Sequence, residues 1–516
     1  MTRIAIDPGR PVGRLDRKVF GGFVEHLGRC IYGGLYEEGS PLSDDRGYRK
    51  DVLGLLRELR LGVLRWPGGN FVSNYHWTDG IGPKDARPRR PELAWGGEES
   101  NRFGTDEFLA YCEELGTDAY ICLNMGTGTL AEALDWVEYC NSAGQTSWAQ
   151  RRRSNGRAEP YRVTYWELGN EMYGDWQVGA LSAEEYVREA TRWARAIRML
   201  DPQAKIVACG MNGWNEWDRV VIDGLASLVD YHSLHIYTGS DDYWTNVLQP
   251  HQAERAIGSA RALIQRAAYK QKIASPPRIA YDEWNVWYRQ MTGALEERYT
   301  FADALAVGTY LNIFTRNCDW VRMACLAQLV NAIAPIVTSP EAVAVQPIWY
   351  PVLLHAQAAL DLAVDVHVDG PTVSPDLPAH ASRWPFRIGD LGPFGLIDAA
   401  ATVSGPNVSA NSPGSGTAAA AEGGPGSGRG RRVAVTLVNR SPSEPEVAEV
   451  LLRDHVFDGP AVIRTVTAGL RGDARTLSDV ETAQLEEGSQ DTRDGVVAVR
   501  LPPRSFTVIE ATMTTR

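Results

Sequence analysis

The segment VTYWELGNE, residues 163–171, places an amide and a carboxylate, Asn170 and Glu171, directly after an apolar run. Burying a carboxylate is costly unless it is paired, hydrogen-bonded or neutral, so this position indicates either a structural anchor or chemistry. A second carboxylate, Glu283, follows the apolar run of PRIAYDEWNV. Two carboxyl groups that meet across a sugar can act as general acid and nucleophile when one is protonated and the other ionised. The pair therefore predicts hydrolysis of a glycosidic bond.

The sequence contains eight apolar runs, each typical of a strand and each ending in or next to polar residues of this kind. They span 18–28, 61–70, 118–126, 163–171, 204–211, 229–237, 277–286 and 321–331. Between them lie amphipathic segments such as 48–60, 105–116, 130–140 and 182–200, and SAEE at 182–185 resembles a capping box. This alternation predicts a closed (β/α)₈ TIM barrel, an α/β fold. A doubly wound open sheet is the alternative, but GGFVEHLG lacks the G-x-G-x-x-G turn that such a sheet would favour.

In a barrel, functional groups lie at the carboxyl ends of the strands, and polar residues do follow the eight runs. They are Glu25, His26, Arg65, Asn70, Asn124, Asn170, Glu171, Asn212, His235, Tyr237, Asp282, Glu283, Gln328 and Asn331. Tryptophans fall in or near the same ends and could stack on sugar rings: Trp66, Trp77, Trp95, Trp166, Trp176, Trp214, Trp217, Trp244, Trp284 and Trp287. The blander interpretation is that strand ends are polar because they emerge into loops. The complete ring favours a wet pocket for a ligand rich in hydroxyl groups.

The sequence pattern changes near residue 362. Short runs in which apolar and polar residues alternate predict an antiparallel, jelly-roll-like β-sandwich from this point. We assign residues 16–361 to the catalytic barrel and residues 1–15 together with 362–516 to the sandwich; the place of the initial strand RIAID in the sandwich is implied by the family resemblance described below. Residues 402–432 are rich in Gly, Ser, Ala and Pro, which predicts a mobile inserted loop, either a tolerated insertion or a regulatory element.

The composition and net charge of the chain restrict the classes of partner, substrate and cellular compartment that we expect. A formal net charge of −12 without a long basic run argues against nucleic acid as a partner and fits a small neutral oligosaccharide. The N-terminus lacks a signal-peptide pattern and no apolar run reaches membrane length, so we expect a cytoplasmic protein without a membrane partner. Seven scattered cysteines fit a reducing compartment.

Several segments, in this order, resemble glycoside hydrolase family 51. They are GGFVEHLGRCIYGGLYE, LRWPGGNFVSNYHW, ESNRFGTDEFLAYCEELG, YWELGNEMYGDWQ, LHIYT and AYDEWNVWY. The resemblance covers nearly the whole chain and implies a retaining, exo-acting α-L-arabinofuranosidase on a (β/α)₈ barrel. It also implies that no metal or organic cofactor is needed and that the chain forms a homo-oligomer, commonly a hexamer in this family.

Carried over by position, the resemblance gives Glu171 the role of acid/base and Glu283 that of nucleophile. The remaining matches are Asn170 for the sugar 2-hydroxyl, Glu25 and Asn70 for other furanose hydroxyls, Tyr237 for orienting the nucleophile, and Gln346 and Trp95 for further substrate contacts. The match is less close for Trp95, Asn101, Arg65, His235 and Asn331. Pro347 follows Gln346 where the family pattern has Thr. Alternatively, Glu25 and Arg65 form an ion pair at the barrel mouth.

This mechanism has two structural requirements. Retention of configuration needs carboxyl groups about 5–5.5 Å apart. Glu171 must also be protonated when the bond breaks, and we expect an apolar wall around Trp166 to favour its neutral form by desolvation.

Other functions stay open at this point. A related retaining enzyme of the same clan, a β-xylosidase or endo-β-glucanase, would keep both carboxylates, and a non-catalytic sugar-binding protein would not need them. A metal-dependent hydrolase would need convergent ligands, yet His232 and His235 are three residues apart and point to opposite faces of a strand.

Overall fold

The computed structural model describes residues 1–289, 294–379, 387–405, 431–469 and 480–516. Its strands are β1 (Thr2–Arg14), β2 (Gly21–Phe23), β3 (Val63–Trp66), β4 (Arg90–Pro91), β5 (Glu98–Glu99), β6 (Asp118–Cys122), β7 (Tyr165–Leu168), β8 (Lys205–Ala208), β9 (Tyr231–Thr238), β10 (Arg278–Val286), β11 (Val321–Ala327), β12 (Ile336–Thr338), β13 (Val343–Val345), β14 (Leu362–Asp369), β15 (Thr372–Val373), β16 (Phe394–Gly395), β17 (Ile397–Val403), β18 (Arg431–Asn439), β19 (Glu446–Leu452), β20 (His455–Ala468), β21 (Ala483–Gln490), β22 (Val496–Leu501) and β23 (Ser505–Thr515). Its α-helices are α1 (Lys50–Leu59), α2 (Thr105–Leu115), α3 (Leu130–Asn141), α4 (Ser147–Ser154), α5 (Ala183–Leu200), α6 (Glu216–Leu225), α7 (Tyr243–Leu248), α8 (Gln252–Gln271), α9 (Phe301–Arg316) and α10 (Trp349–Ala358).

Eight parallel strands close into a barrel in the order β2, β3, β6, β7, β8, β9, β10 and β11, with β11 paired to β2. Each coincides with one of the eight predicted runs, and helices separate them along the chain. The predicted (β/α)₈ barrel is confirmed, and the open doubly wound sheet is excluded. Helix α5 begins with the predicted capping box, in which the Ser182 and Glu185 side chains each bond the other residue's backbone N–H.

Successive side chains along each barrel strand point alternately into the barrel and out toward the helices, which gives the barrel an inner and an outer apolar layer. The interior below the carboxyl ends is filled by residues such as Phe23, Val63, Tyr165 and Met323. Outward residues such as Trp166 pack with the surrounding helices in a larger cluster. This dense packing holds the strand ends, and the side chains that follow them, in fixed positions.

The second domain is a nine-stranded sheet in the order β21, β20, β23, β18, β17, β14, β1, β19 and β22. Strand β20 also contacts β19 and β22 from the opposite end, so the sheet curls around one apolar core. The antiparallel C-terminal sheet domain is confirmed. One pair differs from the expectation, because β1 lies antiparallel to β14 but parallel to β19.

Helices α9 and α10 lie between the barrel and this sheet. A Cβ atom on Gly308 would lie only 2.8 Å from the Phe506 ring, so α9 rests directly on the sheet. Arg316 extends this contact with an ion pair of 3.0 Å from its Nη1 to Asp398 Oδ1. The two domains therefore share a buried interface.

Two sequence expectations concern particular segments. Strand β17 ends at Val403 and β18 begins at Arg431, so the ends of the predicted loop at 402–432 belong to strands. Residues 406–430, on which the rest of that prediction falls, lie outside the described residues.

All seven cysteines are described, buried and free of disulfides. Within the described ranges, no helix has both the length and the apolar character needed to cross a membrane.

Candidate active site

Glu171 and Glu283 lie at the same carboxyl-terminal mouth of the barrel, one just after β7 and the other within β10. The backbone of Glu171 has φ of 44°, in the left-handed region that non-glycine residues rarely adopt. Such a conformation costs on the order of 1–3 kcal/mol and persists only where the surroundings enforce it. The side chain of Glu171 is therefore aimed by backbone strain as well as by contacts.

The two carboxyl groups are close together. One oxygen of Glu171, one oxygen of Glu283 and one ring nitrogen of His235 all lie within 4.8 Å of one another. Retaining glycosidases place their carboxyl groups about 5–5.5 Å apart, whereas inverting enzymes separate them by about 6.5–9.5 Å to admit a water molecule. The observed spacing fits double displacement.

Glu283 is held from two sides by donors. Arg65 Nη1 donates to its Oε1 at 2.7 Å, and the Tyr237 hydroxyl donates to its Oε2 at 2.8 Å. Together these two donors fix the orientation of the Glu283 carboxyl group. Tyr237 therefore lies where the family resemblance places a residue that orients the nucleophile.

Arg65 itself is fully buried and does not form the predicted ion pair with Glu25. Its Nε donates to Glu167 Oε2 at 2.7 Å, and its Nη2 donates to Asn170 Oδ1 at 2.8 Å. The alternative of a Glu25–Arg65 ion pair was wrong because the guanidinium lies inside the barrel, where Glu167 and Glu283 take its donors.

Glu171 accepts three hydrogen bonds. His235 Nδ1 lies 3.1 Å from Oε1, the Tyr173 hydroxyl donates to Oε1 at 3.2 Å, and Trp176 Nε1 donates to Oε2 at 3.0 Å. Burial alone would raise the pKa of Glu171, but hydrogen bonding and charge from His235, with help from Trp176 and Tyr173, lower it below its usual value. The unliganded site therefore stabilises ionised Glu171.

The expected role of Trp166 in keeping Glu171 neutral was wrong. Trp166 is fully buried on the outer side of β7, where its ring meets that of Trp136 on α3 with centroids 6.4 Å apart. Alternation along the strand directs Trp166 away from the mouth. The groups that contact Glu171 are polar donors, which favour its charged form.

Glu25 is almost fully buried and lies close enough to Glu283 for their charges to interact. Its carboxyl group accepts from Phe71 N at 3.0 Å, Trp95 Nε1 at 2.9 Å and Gln328 Nε2 at 3.0 Å. Burial raises the pKa of Glu25 to about 8, against the opposing effect of the Phe71 and Trp95 donors. Gly69 is required here, because a Cβ atom would lie 2.5 Å from the Glu25 carboxyl.

Asn170 and Asn70 form an amide pair next to the carboxylates. Asn170 Oδ1 accepts from Arg65, so its Nδ2 turns toward Asn70 Oδ1 at 3.3 Å. Because guanidinium can only donate, Arg65 fixes which side of the Asn170 amide carries the donor. Asn170 thus presents N–H groups on the side where Asn70 lies, as a contact with a sugar hydroxyl requires.

Gln346 is fully buried and its amide is used by the protein itself. Its Nε2 donates to Glu297 O at 3.1 Å and Ala334 O at 2.7 Å, while Oε1 accepts from Tyr299 N at 3.0 Å. The structure thus gives Gln346 a role in joining loops, and its contact with the sugar stays a prediction.

Asn101 and Asn331, which match the family less closely, use their side-chain amides to bind backbone carbonyl groups of nearby loops. Asn101 donates to Pro88 O at 2.7 Å, and Asn331 donates to Arg29 O at 2.8 Å. Both have positive φ, 58° and 59°, a conformation that Asn tolerates better than most residues. These residues shape the loops around the pocket.

Sequence reasoning did not single out Glu167, and it placed Asp282 only in the ring of polar residues at the strand ends. Glu167 on β7 is fully buried against Arg65, and Asp282 on β10 accepts from the Tyr120 hydroxyl at 2.7 Å. Burial raises the pKa of Glu167 to about 7, although Arg65 opposes this. A signal was present, because Glu167 is a charge within an apolar strand and shares the inward face with Tyr165.

The tryptophans near the strand ends differ in exposure. Trp66, Trp77, Trp166 and Trp284 are among the largest fully buried side chains and belong to the core. Trp176 is 57% exposed and lies beside Glu171. Trp95, Trp214, Trp244 and Trp287 are half-buried, so they and Trp176 have surface that could contact a ligand.

Within the described ranges, two groups of side chains are close enough to hold a cation: Glu167, His235 and Asp282, and Glu171, His235 and Glu283. Both groups include His235, whose two ring nitrogens each face a carboxylate oxygen. His235 Nδ1 makes a hydrogen-bond contact with Glu171 at 3.1 Å, whereas Nε2 faces Asp282 Oδ1 at 3.3 Å as an ionic contact without hydrogen-bond geometry. His232 lies 2.8 Å from Asp218 on α6, outside the barrel, and so does not converge with His235.

A (β/α)₈ barrel with two close carboxyl groups at the carboxyl ends of β7 and β10 defines a glycoside hydrolase. Two family models match the chain, "Alpha-L-arabinofuranosidase 1 domain" over residues 55–255 and "Alpha-L-arabinofuranosidase C-terminal domain" over residues 282–505. The chain belongs to the α-L-arabinofuranosidases of glycoside hydrolase family 51.

Individual relatives agree with this assignment. The chain is 46% identical over 383 residues to "Probable alpha-L-arabinofuranosidase C" of Aspergillus clavatus, covering 71% of this chain and 76% of the relative. It is 38% identical over 388 residues to "Intracellular exo-alpha-(1->5)-L-arabinofuranosidase" of Halalkalibacterium halodurans, covering 71% and 78%. The solved GH51 α-L-arabinofuranosidase of Thermotoga petrophila matches 99% of this chain and 100% of its own at 38% identity, with a TM-score of 0.86.

Proposed function

We propose that this chain is a retaining, exo-acting α-L-arabinofuranosidase. It removes terminal, non-reducing α-L-arabinofuranosyl residues from arabino-oligosaccharides and from arabinoxylan or arabinan fragments. The observation that carries the proposal is the pair of carboxyl oxygens on Glu171 and Glu283 within 4.8 Å of each other at the barrel mouth. The family assignment supports the choice of arabinofuranose as the sugar.

The geometry supplies the groups that the first step needs. Glu283, held by Arg65 and Tyr237, attacks the anomeric carbon while Glu171 donates a proton to the leaving oxygen. A bond forms between a Glu283 oxygen and the sugar, and the glycosidic bond breaks. Asn170, with its amide fixed by Arg65, can donate to the 2-hydroxyl during this step.

The second step reverses these roles. Glu171, now ionised, takes a proton from water, whose oxygen attacks the anomeric carbon of the glycosyl ester. The sugar leaves with its original configuration, because each of the two displacements inverts the anomeric centre. Glu283 returns to its ionised state.

The first test compares hydrolysis of 4-nitrophenyl α-L-arabinofuranoside with the β-D-xyloside, the β-D-glucoside and a soluble β-glucan. We expect a clear preference for the arabinofuranoside, and an NMR spectrum of the first-formed arabinose that shows the α anomer. Activity on another glycoside alone would keep both carboxyl groups but overturn the sugar assignment. No activity on any glycoside would support a sugar-binding protein instead.

Substitution tests the two roles separately. Glu283→Gln should remove turnover on every substrate, because no ester can form. Glu171→Ala should lower kcat/KM by about 10²–10⁴-fold on arabino-oligosaccharides but much less on the nitrophenyl substrate, whose leaving group needs little protonation. Glu132→Gln is the control, because Glu132 pairs with His76 on the surface of α3. Near-wild-type turnover of either active-site variant would refute the role given to that residue.

We further propose that the protein is cytoplasmic and forms a homo-oligomer, a hexamer by family resemblance. The intracellular relative from Halalkalibacterium halodurans supports the first point. Cell fractionation and light scattering after size-exclusion chromatography test the two proposals.

A further inference from the structure

His235 lies in a line of three residues at the barrel mouth. Its Nδ1 is 3.1 Å from Glu171 Oε1, and its Nε2 is 3.3 Å from Asp282 Oδ1. The same Nδ1 is 3.6 Å from Glu283 Oε2. A single buried imidazole therefore contacts the acid/base, the nucleophile and a third carboxylate.

The charged and titratable groups around His235 come from several strands of the barrel. The facing groups are Glu167 and Glu171 from β7 and its following loop, Asp282 and Glu283 from β10, Arg65 from β3, and the hydroxyls of Tyr120, Tyr173 and Tyr237. Four carboxyl groups thus share one guanidinium. A second positive charge offsets this excess, and His235 is the group placed to carry it.

The pKa of His235 agrees with this geometry. Burial opposes the imidazolium, but Glu283, Asp282 and Glu171 together raise the pKa well above its usual value. The surroundings of His235 therefore favour an imidazolium next to an ionised Glu171.

This state poses a problem for the first chemical step, which needs a proton on Glu171. Trp176 Nε1 can only donate, so its contact with Glu171 Oε2 favours a proton on Oε1. The Tyr173 hydroxyl also reaches Oε1, but burial and the nearby Glu171 charge raise its pKa well above its usual value. His235 Nδ1 is the other neighbour of Oε1 with a proton to give.

We propose that His235, positioned by Asp282, stores the proton that Glu171 delivers to the leaving oxygen and recovers it when water hydrolyses the glycosyl ester. In the first step the proton leaves His235 Nδ1 for Glu171 Oε1, and Glu171 gives a proton to the glycosidic oxygen as that bond breaks. In the second step water gives a proton to Glu171, which returns one to His235. The inference rests on the proposed function.

The nucleophile controls the direction of this transfer. As Glu283 bonds to the sugar it loses its negative charge, which lies 3.6 Å from the imidazolium. The site then binds the proton on His235 less tightly at the moment when the leaving group needs it. Hydrolysis restores the charge on Glu283 and draws the proton back. The three groups thus exchange one proton in step with ester formation.

The direct test observes the imidazole by ¹⁵N NMR in protein labelled at histidine. The free enzyme is compared with the ester formed from a 2-deoxy-2-fluoro arabinofuranosyl donor, with occupancy of Glu283 checked by mass spectrometry. We expect His235 to be an imidazolium in the free enzyme and neutral in the ester. His232, on the same strand against Asp218, is the internal control and should not change.

Each other outcome has a definite meaning. An unchanged charge on His235 in the two states, whether positive or neutral, would overturn the proton store. Failure of Glu283 to become labelled would instead overturn the proposed function, and the inference with it. Comparison with His235→Gln assigns the relevant signal.

A pH profile of kcat/KM gives a second, independent test. If His235 and Glu171 share one proton, the alkaline limb of the wild type lies well above the pKa of an isolated glutamic acid. His235→Gln then moves this limb to lower pH, because the proton is held by Glu171 alone. Asp282→Asn also moves it to lower pH, because the imidazolium loses a neighbouring negative charge.

The alternatives predict different directions. If the imidazolium only lowers the pKa of Glu171 and never gives up its proton, His235→Gln moves the alkaline limb to higher pH. If His235 has a purely structural role, the limb stays in place while activity falls. His232→Gln is the matched control, since it breaks the other buried histidine–aspartate contact and should leave both limbs unchanged. Either alternative result for His235→Gln would overturn the proposal.

Discussion

Glu167 should make the stability of this enzyme decrease between acid and neutral pH. Its side chain is fully buried, its Oε2 pairs with Arg65 at 2.7 Å, and its Oε1 has no hydrogen-bond partner among the described residues. Burial raises its pKa from 4.5 to about 7, despite Arg65. Below pH 4.5 both folded and unfolded chains are protonated here. Between pH 4.5 and 7 the folded chain keeps a proton that the unfolded chain has lost.

Because the folded state binds the extra proton, its advantage is lost as pH rises through that window. A pKa raised from 4.5 to about 7 corresponds to about 3 kcal/mol. Glu167→Gln removes this titration while keeping an oxygen for Arg65 and placing an amide N–H near Asp282. The free energy of unfolding of the variant, relative to wild type, should therefore increase by about 3 kcal/mol between pH 4.5 and pH 8.

Urea unfolding followed by tryptophan fluorescence at several pH values measures this difference. Glu38→Gln is the matched control, because hydrogen bonds from Arg102, Tyr36 and Lys84 outweigh burial and lower the pKa of Glu38 to about 2. Its contribution to stability is lost only as pH falls below the usual range of Glu, so its effect should be constant above pH 4.5. Parallel stability curves for wild type and Glu167→Gln would refute the reasoning.

Three further variants test other contacts. Tyr237→Phe removes the 2.8 Å hydrogen bond to Glu283. Because a hydrogen bond to a charged group contributes about 1.5–3 kcal/mol, kcat should fall about 10–100-fold. An unchanged kcat in steady-state kinetics would contradict this. Gln346→Ala leaves buried backbone groups unpaired and should cost about 3 kcal/mol of stability with KM unchanged. A raised KM with normal stability would instead support a sugar contact. Asp398→Asn breaks the ion pair with Arg316. It should lower the free energy of unfolding by about 3 kcal/mol and therefore lower Tm in a thermal scan by several degrees. An unaltered Tm would show that the domain interface does not need this charge.

The barrel was predictable from sequence because its signal is local. Each of the eight strands is a short apolar run between amphipathic helices, and the position of Glu171 and Glu283 at strand ends follows from that pattern. The helix start at Ser182 was equally local. These features depend on residues close together in the chain.

The charge state of the site was not predictable in the same way. The donors around Glu171 come from its own loop and from β9, and only the folded structure shows that His235 and Trp176 converge on it. Sequence alone suggested desolvation by Trp166, whereas hydrogen bonding decides the direction of the pKa shift. Arg65 was similarly matched with the wrong partner, because its position inside the barrel depends on packing between strands.

The arrangement of β1 in the second domain has a consequence for synthesis of the chain. Strand β1 is made first, yet it lies between β14 and β19, which begin at Leu362 and Glu446. Its buried residues Ile4 and Ile6 therefore have no final partners until most of the chain has left the ribosome. The barrel strands, by contrast, emerge in the order in which they pair. During translation the barrel can fold before β1 finds its partners, so the growing chain exposes an unpaired apolar strand ahead of the barrel until β14 and β19 have been made.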